Sequence, residues 1–253
     1  MAVVATYIIL AVMTVYFCLD RGHRIDRNGI GRGLFYSFLP FLAASAVCTN
    51  LMSLPERLEA SGIFPNLFGI AVQFIAVLAV NVLSLLGSAS VVKHETDNTH
   101  SIYSPERFTK MAVVTSVLGA VSGAAAAGFC CTTSMITSDN VASGILTMLV
   151  LTVAVTLLTF GIGLAIMTLV IPIYSIASGA EALVHCIPPA LSAFVWGGVF
   201  FLLHVLTAVY GVLALLTLFN SGRIDKRSAV KYGIIYVIPG VNVFALIRLL
   251  KKQ

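Results

Sequence analysis

Residues 199–219 read VFFLLHVLTAVYGVLALLTLF, and these 21 positions hold no Asp, Glu, Lys or Arg. As an α-helix the stretch is about 30 Å long, the thickness of a bilayer's hydrocarbon core. A helix is also the default conformation there, because it satisfies its own backbone donors and acceptors where no water can do so. A transmembrane barrel would show short strands of alternating polarity; this run is continuous.

Comparable runs recur at about residues 2–19, 34–52, 66–92, 111–131 and 142–171. The chain as a whole is 59% apolar and 10% charged, against about 45–50% and about 25% in soluble domains, so it cannot cover a water-facing surface. The fold class expected is all-α: a polytopic helical bundle forming one transmembrane domain over residues 1–253. The first run has no basic segment before it and is followed by Asp20 and Arg21 rather than a small-residue cleavage site, which reads as a retained span and not a signal peptide.

The stretch from Pro172 to Gly198 is mostly apolar but contains Glu181, His185 and the pair Pro188-Pro189. Charge decides its reading, since Lys and Arg accumulate in cytoplasmic connections. If 172–197 crosses as a broken span ahead of 199–219, the basic connections 20–33, 93–110 and 220–231 and the tail fall on one side, with 14 of the 15 Lys and Arg. If it does not cross, the division is seven against eight. The expectation is therefore about seven transmembrane helices, N-terminus out and C-terminus in. One long tilted helix is expected over 142–171, which is too short for two crossings. The segment 232–250 has Pro239-Gly240 at its centre and basic residues at both ends, and is expected to be a re-entrant or interfacial helical hairpin turning at that pair.

Polar residues inside such spans are the ones that carry information. Glu181 and His185 stand at i, i+4, stacked on one helix face, where a carboxylate and an imidazole can share a proton. Together with His204, Gln73 and Asn81 they form the expected substrate or proton pathway; Gln73 and Asn81, eight residues apart on one face, serve equally as a clip between two helices. In 111–131, Ser116, Gly119, Gly123 and Ala127 belong to overlapping small-xxx-small pairs that let helix backbones approach closely. Ser104-Pro105 reads as a helix start, with serine as the cap and proline in the first turn.

No metal or other cofactor is expected. His94, Glu95, Asp97 and His100 match no metal-ligand spacing, and the five cysteines sit in or beside apolar runs as small hydrophobes. The absence of Walker, HExxH, GxSxG and dinucleotide motifs argues against a solitary ATPase or hydrolase, and the chain is expected not to be an enzyme. Its positive charge lies in short flanks of spans, where it fixes topology and meets anionic lipid rather than nucleic acid. The expected partners are membrane lipids and other membrane or cytoplasmic protein subunits. The function read from this is a permease-like subunit of a transport system, either a secondary permease or the pore-forming partner of a separate energising protein; the alternative is a non-catalytic assembly subunit of a larger membrane complex. The compact loops fit a prokaryotic cytoplasmic membrane.

Overall fold

The computed structural model describes residues 2–21, 31–61, 63–97, 105–137, 180–238 and 241–250. The span expected at 142–171 lies outside the described residues. Within them the chain forms eight helices and no strand: α1 Ala2–Arg21, α2 Gly31–Met52, α3 Leu54–Ser61, α4 Ile63–Asp97, α5 Pro105–Thr137, α6 Ala180–Asn220, α7 Lys226–Val237 and α8 Val241–Leu250. Five of them (α1, α2, α4, α5 and α6) are long and apolar enough to cross a membrane.

The outer faces agree with that reading. On α1 the residues Val4, Ile8, Val12 and Val15 are exposed at helical spacing, and on α4 so are Phe68, Ile75, Leu78 and Val82. Continuous apolar stripes of this kind are costly in water and natural against lipid. The protein is an integral membrane bundle of helices, the class expected.

The bundle is organised around α5 and α6, which pack most extensively. They run antiparallel. Thr207 Oγ1 donates to Thr115 Oγ1 at 2.8 Å, Gly119 faces Leu203, Gly123 faces Phe200, and Cys130 packs with Ala193. A methyl group on Gly123 would come within 2.9 Å of the Phe200 ring, so glycine is what permits this approach. α2 is inserted between α1, α4 and α6. There Gly87 of α4 admits the Tyr36 ring and Gly33 of α2 admits the Met111 side chain, each at a separation that leaves no room for a Cβ.

These contacts also fix which ends lie together. Asp20 meets Arg32, Arg32 reaches Ser90, and Gly33 lies against both Met111 and Tyr210. The end of α1, the start of α2, the end of α4, the start of α5 and the last turns of α6 therefore share one end of the bundle. The basic connections 20–33, 93–110 and 220–231 belong to that end, whatever lies between residues 137 and 180.

One expectation is corrected. The sequence predicts two crossings here, a broken span over 172–197 and a second over 199–219. Instead α6 runs uninterrupted from Ala180 to Asn220 with both prolines inside it. The two prolines remove two donors and cost about 3 kcal/mol or more in a water-exposed helix. In an apolar surround, however, a turn at Gly197-Gly198 would strip hydrogen bonds from several peptide groups at several kcal/mol each. The helix therefore continues, and 187–220 is a single candidate span.

α6 ends in a Schellman motif: Arg223 N–H donates to Leu218 O and Gly222 N–H to Phe219 O, each at 3.0 Å, with Gly222 at φ +69°. That left-handed position requires glycine. α7 then turns back along α6, placing Tyr236 on Gly211 and Gly233 near Leu215. α8 follows directly, packing on α7 and α5, and Ser116 Oγ donates to Asn242 Oδ1 at 2.8 Å. At about 18 Å and about 15 Å, neither helix spans a bilayer core, and together they form a hairpin seated on the basic end. The turn residues Pro239 and Gly240 lie outside the described residues.

Candidate functional site

At the basic end a charged pair is fully enclosed. Asp20 (2% exposed) and Arg32 (3% exposed) approach at 2.7 Å through Arg32 Nη2. Tyr36 Oη donates to the same Asp20 Oδ2 at 2.9 Å, and Ser90 of α4 accepts from Arg32 Nη2 at 3.5 Å. The local sequence explains the geometry. Arg32 and Tyr36 stand at i, i+4 on one face of α2, and that face meets the last turn of α1, where Asp20 is the only acid. Tyr16 stacks on Phe35 with ring centroids 3.8 Å apart and meets Tyr36 edge-on at 5.5 Å, so aromatic rings wall the pair off.

The pair is not fully satisfied. Asp20 Oδ1 is close to the guanidinium but out of hydrogen-bond alignment, and Arg32 Nε has no partner among the described residues. Two nearby hydroxyls are in the same condition: Ser88 of α4 and Tyr210 of α6 adjoin yet meet no hydrogen-bond partner in good geometry, although both are at least 98% buried. Both line a cavity of about 340 Å³ between α4 and α6, otherwise walled by residues such as Leu85, Val92, Val205 and Val209, with Lys93 also contributing to its lining. Four helices, α1, α2, α4 and α6, thus bring together a carboxylate, a guanidinium, two phenols and two serine hydroxyls. Such a set can hold and pass a proton, or bind an anionic or hydrogen-bonding group.

The expected pathway residues are dispersed. Glu181 and His185 fall in the first two turns of α6, and their side chains lie outside the described residues. Gln73 is fully buried and accepts from Asn50 Nδ2 at 2.8 Å, joining α4 to α2; this is the clip geometry, with Gln73 Nε2 left over. Asn81 does not share that bond, and its buried Oδ1 meets no partner. His204 is half-buried and stacks on Phe200, with centroids 6.1 Å apart. Of the small-residue set, Gly119 and Gly123 face α6 and Ser116 faces Asn242 of the hairpin, whereas Ala127 is half-buried on the same helix.

Arg57, alone at the opposite end from the basic connections, donates to Asn50 O at 2.6 Å and to Ser53 O at 3.3 Å. It neutralises the open carbonyls where α2 ends. No group of His, Cys, Asp and Glu able to hold a metal ion occurs among the described residues.

Asp20 and Arg32 were read from sequence as loop charges that set topology. The signal that places them inside is one acid and one arginine flanking the connection between two apolar helices, with a tyrosine one turn further along the arginine's face. No protein-family model, characterised protein or solved structure matches this chain.

Proposed function

We propose that the chain is a permease-like, non-enzymatic subunit of a transport system, embedded in a prokaryotic cytoplasmic membrane with its N-terminus out and C-terminus in, and working with a separate energising protein. The observation that carries this reading is the buried Asp20–Arg32 pair, left incompletely hydrogen-bonded beside a cavity with two unpartnered hydroxyls. An ion pair shut away from water inside a membrane bundle is costly, and ionisable residues so enclosed mark substrate or proton routes by default. A bundle that needed only to pack would place apolar residues there at no loss of stability.

The scaffold reading draws on the poverty of ionisable residues in the spans, and would use the small-residue face and the terminal hairpin to grip neighbouring subunits. Both are used within the chain: Gly119 and Gly123 against α6, and the hairpin against α5 and α6. That weakens the scaffold and favours transport. Glu181 and His185, in the first turns of α6, are the proposed proton-coupling pair.

The test is complementation of a strain lacking the chain, together with purification in mild detergent. The double variant Asp20→Leu/Arg32→Met, which removes the charges but keeps the volume, should fold and insert yet fail to restore uptake or efflux. Glu181→Gln should lose the pH dependence of that flux, and the wild-type chain should co-purify with an ATPase. Full complementation by both variants, with the chain recovered stoichiometrically in an assembly lacking any energising protein, would establish the scaffold instead.

A further inference from the structure

We infer that the cavity between α4 and α6 is a binding site for one anionic glycerolipid taken from the surrounding bilayer. The inference concerns this cavity alone and stands whether or not the chain transports anything.

The order of residues along the cavity carries the argument. α4 runs toward the basic end and α6, as followed here from Val205 to Tyr210, runs the same way, so Leu85 and Val205 lie deepest, Ser88 and Tyr210 one turn nearer the basic end, and Lys93 nearest to it. The five-residue step from Ser88 to Lys93 corresponds to about 7.5 Å of helix rise. An amphiphile entering along this axis meets apolar wall first, then two hydroxyl donors, then an ammonium. That is the order of groups in a phosphatidyl lipid: acyl chain, ester carbonyl and glycerol oxygens, anionic headgroup. Ser88 Oγ and Tyr210 Oη adjoin but neither meets a hydrogen-bond partner in good geometry, and both are buried; even if one donates to the other, a donor is left over, which is costly unless something accepts from it, and ester carbonyls are acceptors. Leu85 and Val209 are exposed on the outer face of the bundle, which gives the acyl chain a lateral route in from lipid. The connections at this end are rich in Lys and Arg, a field that favours an anionic headgroup over a zwitterionic one.

The test uses the full-length chain purified in detergent and titrated with phosphatidylglycerol, phosphatidylcholine or oleic acid, with bound lipid counted by native mass spectrometry. One phosphatidylglycerol should be retained, at least tenfold more tightly than phosphatidylcholine. Lys93→Gln should erase that headgroup preference while leaving lipid bound. Ser88→Ala/Tyr210→Phe, which preserves the cavity's shape, should weaken both phospholipids severalfold without changing the preference. Ala89→Phe should abolish the retained lipid by filling the cavity, whereas Val230→Phe, in the separate groove between α6 and α7, should leave retention unchanged. Retention that is unaltered by Ala89→Phe, equal for both phospholipids, or matched by oleic acid would overturn the assignment; so would loss of lipid in Val230→Phe equal to that in Ala89→Phe.

Discussion

A carboxylate enclosed with an arginine and a tyrosine makes a sharp demand on substitution. Asp20→Asn leaves Arg32 buried without a counter-charge and should destabilise the protein by about 3–5 kcal/mol, whereas Asp20→Leu/Arg32→Met should fall near the wild type. Unfolding in graded SDS, followed by circular dichroism, measures both; an Asp20→Asn protein as stable as the parent would mean that the pair is hydrated. Tyr36 adds a second constraint. Its ring occupies the space a side chain at Gly87 would fill, so Gly87→Ala must push Tyr36 off Asp20 and should cost about 1–3 kcal/mol by overpacking. Combining it with Tyr36→Leu should recover most of that loss. Little of this site was legible in the sequence. Charges beside a span are ordinarily solvated, and only the tertiary contact of α1, α2 and α4 turns Asp20 and Arg32 inward. Gln73 was different: an amide in the middle of an apolar run has few ways to be satisfied, and a clip to another helix was among those foreseen.

Element by element, the apolar runs located α1 and α2 within three residues and the centres of α4 and α5, whose ends extend up to six residues further, and Pro105 opens α5 as its fixed φ suggests. The reading failed at α6, where Gly197-Gly198 and Pro188-Pro189 look like punctuation by rules learned in water. Without water to accept the released peptide groups, the helix runs through them. The C-terminal hairpin was legible because Pro239-Gly240 sits between two segments each too short to cross. Its docking was not, since Asn242 gains meaning only beside Ser116. Asn242→Leu leaves that serine hydroxyl buried and unpaired, and should loosen α8 by about 1–3 kcal/mol; faster hydrogen exchange confined to α7 and α8 would register it. At the start of α7, Ser228 beside Asp225 holds that carboxyl below its ordinary value. Its contribution to α7 is therefore complete above about pH 4, the unfolded value, and is lost as pH falls through the lowered folded value. Exchange in α7 should quicken only in that acid range, and in Asp225→Asn the acid step should be absent.

For the molecule as a whole, orientation is the claim with the widest consequences, and two independent lines bear on it. Counting Lys and Arg groups the connections 20–33, 93–110 and 220–231 by charge; the contacts Asp20–Arg32, Arg32–Ser90 and Gly33–Tyr210 group the same connections by position. The antiparallel pairing of α5 and α6 makes the second line insensitive to how the chain travels between residues 137 and 180. Merging two expected spans into α6 therefore changes where spans begin and end without moving the basic ends apart. If those ends face the cytoplasm, as the positive-inside bias requires, a cysteine at the exposed position Ser221, in a chain whose own cysteines are replaced by serine or alanine, should resist an impermeant maleimide on intact cells and react in inverted vesicles. Arg57, whose guanidinium is engaged by α2's terminal carbonyls, explains why one cation is tolerated at the opposite end. Cysteine at Met52, exposed beside it, should show the reverse pattern. Labelling of both positions from the same side would mean that the two ends of α2 do not face opposite compartments, and the single basic end would not define an orientation.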